Sequence, residues 1–388
     1  MNLDDAAAAA LAHPLVVGAE PSTEHPGMLT LTLLTGEDIT CNPQLAQPEP
    51  GESDEDALLR FHSSLDKLLV TVQTHLDSEV NLDETIPLVR SADYFRNATD
   101  EGPALTFPLT DYIGVGLAVD LPTAVMPVTH DKLADDTPEQ LIERAARAVL
   151  NLRDMTEQFG LAPIVEDNSI LVVHATEGND CAWFADLQTM EAALAQMQVV
   201  TDTEWAVVPA TREDLFILDT ATPHWDDFLD VLESIRDSHK EVCPLPHVQS
   251  DNAWLEWVPP AGHPAEKRLT KLRADIHAAQ HGHQREHLQA VSGPFPSSML
   301  QIERLGRWET LAVTSDDVTS IPRTDLVVFF REEDDEPLGV HLNNALVRCP
   351  HLFSLHEGTF PPRLLVQPPS DEDRAVLSED RVDWGATG

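Results

Sequence analysis

Residues 281–287 read HGHQREH, and within them His283, Glu286 and His287 stand in the order His-x-x-Glu-His. That order is the signature of the inverzincin metallopeptidases, in which two histidines one helical turn apart hold zinc and the glutamate acts as general base on the metal-bound water. Taken as a helix at about 100° per residue from Ile276, His283 falls at about −20° and His287 at about +20°. Both then continue an apolar stripe of Leu269, Leu272, Ile276 and Ala279. His277 and His281 fall at about +100° and about +140°, so an unbroken helix does not bring all four histidines to one ion. The zinc reading also needs a third ligand from a downstream carboxylate, and among 67 acidic residues one is available by chance. Gly282 weakens the helix just before the motif, and the flanks AAQ and LQA lack bulky apolar residues. The expectation is therefore no cofactor and no catalytic residue. The alternative is a zinc-dependent hydrolase with His283 and His287 as ligands and Glu286 as base.

The same stretch carries Lys267, Arg268, Lys271, Arg273 and Arg285, the basic island of a chain with 24 Lys and Arg against 67 Asp and Glu. Such a strip either docks against the protein's own carboxylates or meets a partner. As candidate site residues, these five are read as partner-binding. Other constellations are incomplete. GVG at 114–116 sits inside a strand pattern and continues LAVD, so it is neither a dinucleotide fingerprint nor a phosphate loop. No G-x-S-x-G elbow occurs. REEDDEP, 331–337, lacks the alternating oxygen ligands and glycine of an EF-hand loop and reads as a charged hairpin tip. His174, in the apolar run ILVVHAT, is expected to be a core histidine. Trp254 and Trp257 straddle a pleat, which leaves solvent or a partner open to one of them beside core packing.

A net charge of −43 repels phosphate backbones and anionic membrane surfaces, so partners of those classes are excluded and a protein partner is expected. Cys41, Cys181, Cys243 and Cys349 show no C-x-x-C spacing, which gives neither a local zinc ribbon nor a small disulfide scaffold. The chain opens with Asp4 and Asp5 where a secretory signal carries positive charge, and no window approaches about eighteen consecutive apolar residues. The expected location is cytoplasmic.

The elements that position these residues follow a recurring grammar. MLTLTLL alternates as a strand, ITC returns, and Ser53 with Asp56 caps a helix bearing Leu58, Phe61, Leu65, Leu68 and Val72 on one face. IGVGLAV and TAVMPV then pair ahead of a helix that opens on the capping box Thr137-Pro138-Glu139-Gln140 and turns Leu141, Ala145, Ala148 and Leu152 inward. EWAVVPA and LFILDT repeat the hairpin, followed by a helix with Phe228, Leu232 and Ile235. The fold class is α+β: repeated β-hairpin-plus-helix units with largely antiparallel sheet, plus a β-rich C-terminal module from MLQIERL, WETLAVT, DLVVFF and LGVHL. The expected organisation is an N-terminal hairpin-helix unit over 1–80, an α+β region over 81–258, a linker and polar helix over 259–292 beginning at PPAGHP, the β-rich module over 293–367, and a tail over 368–388. That tail lacks the apolar density to fold and is expected to be disordered.

IPLVR (86–90), LAVDLPTAVMPVTHDKLADDTPEQLIERAARAVLNL (117–152), GNDCAWFADL and AVVPATREDLFIL (206–218) resemble the YtpQ-like family of bacterial proteins. The resemblance covers approximately 28–258. It implies a fold and no reaction, since the family has no established biochemical activity. The histidine-bearing helix and the C-terminal module depart from the family pattern. Taken together, the sequence points to a non-enzymatic protein-binding or chaperone-like module.

Overall fold

The computed structural model describes residues 3–22, 28–34, 36, 38–41, 53–75, 81–96, 106–121, 124–156, 159–175, 179–236, 241–290, 293–331 and 337–384. The chain divides into two compact units, Met1–Thr85 with Ala118–Met126, and Ile86–Leu117 with Pro127–Gly388.

In the first unit, α1 (Leu3–Leu11) precedes an antiparallel sheet of β1 (Val16–Pro21), β2 (Leu29–Leu33) and β3 (Asp38–Cys41), and α2 (Asp54–His75) follows. Alternation along β2 sends Leu29, Leu31 and Leu33 to one face, where they are buried with Ala6 and Ala10 of α1 and Phe61, Leu65 and Leu69 of α2. The expected cap is present: Asp56 N donates to Ser53 Oγ at 3.2 Å and Ser53 Oγ donates to Asp56 Oδ2 at 2.6 Å. Leu58 packs against this core, while the side chains of Leu68 and Val72 lie outside the described residues.

The second unit begins with β4 (Thr85–Ser91), α3 (Ala92–Arg96), β5 (Phe107–Pro108), β6 (Ile113–Leu121) and β7 (Ala124–Pro127), paired in the order β4-β6-β5 with β7 on β6. The tip of the β6–β7 hairpin, 118–126, is counted with the first unit. Next, α4 (Pro138–Met155) starts on the reciprocal capping box of Thr137 and Gln140, with bonds of 3.3 and 2.8 Å, and buries Ala148 and Leu152. Then come β8 (Gly160–Pro163), β9 (Ile170–His174), α5 (Leu187–Thr201), β10 (Trp205–Pro209), β11 (Leu215–Asp219), α6 (Trp225–Arg236), β12 (His247–Ser250) and β13 (Ala253–Glu256). Their strands make one antiparallel sheet in the order β13-β12-β10-β11-β9-β8. Hairpin-then-helix thus occurs three times, as β2–β3–α2, β6–β7–α4 and β10–β11–α6.

The C-terminal part continues with α7 (Glu266–Gln289), β14 (Phe295–Pro296), β15 (Leu300–Arg304), β16 (Arg307–Val313), β17 (Thr319–Pro322), β18 (Leu326–Phe329), β19 (Leu338–His341), α8 (Leu342–Arg348), β20 (Phe353–His356), β21 (Arg363–Val366) and α9 (Asp371–Leu377). Two four-stranded sheets result, β14-β17-β21-β20 and β15-β16-β18-β19, antiparallel except at β14–β17 and β16–β18. The β18–β19 hairpin is antiparallel, and its acidic tip at 332–336 lies outside the described residues.

Several expectations are corrected. The helix expected beyond PPAGHP is packed into the second unit: Ala265, Leu269, Leu272 and Ile276 belong to the same core as β10, β11 and α6, because an apolar helical stripe has to be buried against something. The tail is ordered through Trp384. Ser370 and Asp373 form a capping box on α9, Leu377 is fully buried, and a Cβ at Gly339 would come within 2.2 Å of the Trp384 indole. One leucine and one tryptophan suffice to seat a polar segment on an existing core, which an average over composition conceals. His174 is exposed at the end of β9, opposite Gly160 of the edge strand β8. Both tryptophans are buried. Trp254 stacks on Phe184 at 4.5 Å, and Trp257, beyond the end of β13 and free of its pleat, stacks on Trp225 at 5.4 Å. All four cysteines are buried thiols with no disulfide between them. No helix among the described residues is long and apolar enough to cross a membrane.

Candidate ligand cleft

Helix α7 organises the second unit because it buries two adjacent stripes. The apolar one, Ala265, Leu269, Leu272 and Ile276, ends at Ile276, since Ala279 and His283 are exposed. The other runs Thr270, Ala274, His277, His281 and Gln284, spaced four, three, four, three, and stays buried two turns beyond Ile276, to Gln284. Its polar letters are each answered by a partner. Thr270 Oγ1 accepts from Trp308 N at 3.0 Å, and His277 Nε2 donates to Glu256 Oε2 at 2.8 Å. Gln284 Nε2 donates to Pro361 O at 2.7 Å, which leaves its Oε1 as the acceptor for His281 Nδ1–H at 3.0 Å. With Nδ1–H donating to Gln284, His281 Nε2 accepts a hydrogen bond from the Tyr112 hydroxyl at 3.2 Å, and the Tyr112 ring stacks on His277 at 3.8 Å. Arg363, fully buried, completes the chain from β21. It donates to Gln284 Oε1, Ser320 Oγ, Ser320 O and Ser297 O, all neutral acceptors. Burial, with Arg285 nearby, pulls its pKa down to about 10, so it is still a cation at neutral pH.

One turn earlier on the same helix, Arg273 lies between two carboxylates. Its Nε pairs with Glu256 Oε1, and its Nη1 donates to both oxygens of Asp325 at 3.1 and 3.0 Å. Asp325 Oδ2 also accepts from Thr310 N at 2.8 Å and from Thr310 Oγ1 at 2.7 Å. Burial alone would raise the Glu256 carboxyl, but His277 and Arg273 against it hold it well below the usual carboxylate range. Asp325 is likewise lowered, with Arg273 and the Thr310 amide overcoming desolvation. Burial drives the other way at the uncharged groups: the Tyr112 phenol is pushed well up and His247 is pulled down to about 4.

These groups form the floor of a cleft of about 860 Å³, within the range that holds small ligands. Strand β16 makes one wall. The turn before it, Leu305 and Gly306 with φ of 53° and 82°, is a two-residue hairpin connection that sets Arg304 opposite Arg307. Period two then turns Arg307 and Glu309 into the cleft, while Trp308 faces away to pack under Lys271 at 4.5 Å. Glu309 is held by both arms of Arg304, at 2.7 and 3.1 Å. Arg323 is paired with Asp111 at 3.1 Å. Arg307 differs, because its Nε is buried on this wall with no hydrogen-bond partner. The opposite side carries His341 and Asn343 at the start of α8, and exposed Leu255 and Val258 form an apolar edge.

The residues singled out from the sequence lie elsewhere. His283, Glu286 and His287 sit on the exposed face of α7, with His283 62% exposed and bonded through Nδ1 to Asp93 of α3. No three His, Cys, Asp or Glu side chains among the described residues are grouped to hold a metal ion. The basic strip is engaged within the chain. Lys267 bonds Glu303 at 2.6 Å, Arg268 bonds Asp230 and Glu233 at 2.6 and 3.0 Å, Lys271 bonds Asp275 and Gln301, and Arg285 Nε donates to Pro296 O at 3.1 Å. Only Arg273 among the five also lines the cleft. A second grouping, Ser169, Asp167 and His224, is a triad by composition alone. Asp167 stands between the other two, accepting from Ser169 Oγ at 2.7 Å and contacting His224 at 3.2 Å, so the hydroxyl is bonded to the carboxylate in the place a triad gives to the imidazole. Sequence reasoning missed Tyr112, Glu256, His277, Arg307 and Asp325. The one local signal was the four-three spacing of Thr270, Ala274, His277, His281 and Gln284, which a hydrophobicity pattern does not register.

No family model, curated protein or solved structure matches the chain.

Proposed function

We propose that this chain is a non-enzymatic binding protein whose second unit takes a small amphiphilic anion, a carboxylate or phosphate monoester carrying an apolar group. The observation that carries the reading is Arg307: in a chain of net charge −43, a guanidinium Nε is buried without a partner on the wall of an 860 Å³ cleft. An anion supplies the missing acceptor, and a planar carboxylate or phosphate suits the guanidinium fork. Leu255 and Val258 at the edge suit the apolar portion. The floor supports binding over catalysis. Glu256 and Asp325 are held ionised, His247 neutral and Tyr112 protonated, each far from the near-neutral pKa that proton transfer requires. Because the basic strip of α7 is occupied by the protein's own groups, the binding expected of the chain is assigned to the cleft. A cytoplasmic location and the likeness of 28–258 to YtpQ-like proteins belong to the same proposal and add no reaction to it.

The test is thermal unfolding of the full chain with octanoate and with phenyl phosphate. A saturable rise in midpoint is expected for at least one of them, absent in Arg307→Met and preserved in Lys267→Met. If neither anion shifts the midpoint, or Arg307→Met shifts as much as the native chain, the proposal is wrong.

A further inference from the structure

A separate cavity of about 560 Å³ lies on the other side of α7, lined by Asp93 and Ser91 at the β4–α3 junction, Glu241 after α6, and Asp275, Gln280 and His283 on the helix itself. Arg236, Ile276 and Ala279 complete its wall. Three carboxylates and one guanidinium bias it toward cations, but acidic residues on a surface this acidic identify nothing alone. The informative group is Gln280. Its side chain is 5% exposed, it lines the cavity, and its Oε1 has no hydrogen-bond partner. A carbonyl oxygen only accepts, so the occupant that satisfies it has to bring an N–H or O–H donor.

The geometry points to a linear alkyl polyamine. A bare metal ion needs several ligands converging within about 2.0–2.6 Å, and no three acidic, histidine or cysteine side chains among the described residues are so grouped. The cavity is also far larger than an ion. An ammonium group can donate to Gln280 Oε1 while its charge faces the carboxylates of Glu241 and of Asp275, the latter already paired with Lys271 and Arg236. The methylene chain then lies along Ile276 and Ala279. This site is independent of the anion cleft, and it gives the His283 end of α7 a role in which no metal takes part.

The experiment is calorimetric titration of spermidine into the full chain at about 150 mM NaCl, where attraction to the general acidic surface is screened beyond about 8 Å. Gln280→Leu removes the acceptor and keeps the shape. Ala279→Arg, at an exposed helical position, puts a guanidinium into the cavity and needs no core rearrangement. The expected result is one site per chain, weakened at least about ten-fold in both variants, unchanged in the distal Glu191→Gln, and not displaced by equimolar magnesium. Equal binding in the native chain and Ala279→Arg would mean diffuse attraction to the acidic surface and would overturn the inference. Displacement by magnesium, or no saturable binding at all, would overturn it as well. If Gln280→Leu lowers the unfolding midpoint, Ala279→Arg decides the matter.

Discussion

Arg273 and Lys267 carry the same charge on the same helix and differ in what surrounds them. Arg273 is 20% exposed between Glu256 and Asp325, whereas Lys267 is 64% exposed against Glu303. Removing Arg273 leaves two carboxylates without their counter-ion in a largely dry site, so Arg273→Met is expected to destabilise by about 2–4 kcal/mol. Lys267→Met should stay within about 0.5 kcal/mol. Urea denaturation compares them directly, and equal midpoints would refute the account of the floor. His247 makes a pH prediction. Its pKa is lowered by burial from 6.5 to about 4, so the folded state binds its proton less readily than the unfolded chain. Its contribution is therefore complete above about pH 6.5 and is lost as pH falls from there toward 4, amounting to about 3 kcal/mol at most. The carboxylates Glu256 and Asp325, also lowered, lose theirs only below the ordinary carboxylate range, at still lower pH. Urea midpoints measured across pH 7 to 4 should fall first in the histidine window, and a His247→Asn variant should flatten that part of the curve.

At the scale of the element, α7 shows why the histidine motif misleads. Extrapolating an apolar stripe from Ile276 to His283 assumes that a helix keeps one buried face along its length. Here the surroundings change halfway. The first half meets the core of β10, β11 and α6, and the second half meets Tyr112, Arg363 and the Pro361 carbonyl. The buried face rotates with them from apolar to polar side chains. Substituting the outer face, His283→Ala or His287→Ala, is expected to change stability by less than about 1 kcal/mol. Gln284→Leu strands the Pro361 carbonyl, the His281 donor and one arm of Arg363, and should cost about 2–3 kcal/mol. Comparable losses on the two faces in thermal unfolding would contradict this division. By contrast the start of α4 was legible: Thr137 and Gln140 announce the cap, and of the expected inner face Ala148 and Leu152 are buried while Leu141 and Ala145 are half-buried.

Over the whole molecule, each unit has its own core, and the acidic terminus is part of the second. Removing residues 370–388 would uncover the face of Gly339 on which Trp384 lies and delete Leu377 from the cluster of Val340, Leu342 and Ala345. A chain ending at Pro369 is expected to unfold several degrees earlier, by about 2–3 kcal/mol for the buried leucine and the half-buried tryptophan together. An unchanged midpoint would mean that the tail adds nothing to the fold.

Composition, periodicity and capping letters determined the α+β class, the three hairpin-helix units, the antiparallel sheets and the start of α4. Those features depend on interactions between residues a few positions apart, and a linear pattern records such interactions directly. Tertiary structure alone decided which histidines of α7 are buried, that Glu256 meets Arg273 and His277, that Tyr112 stacks across 165 positions of chain, that Arg307 faces a cleft, and that the acidic tail is seated on a core. Desolvation and charge compensation arise from neighbours supplied by distant segments, so no local spacing of letters encodes them.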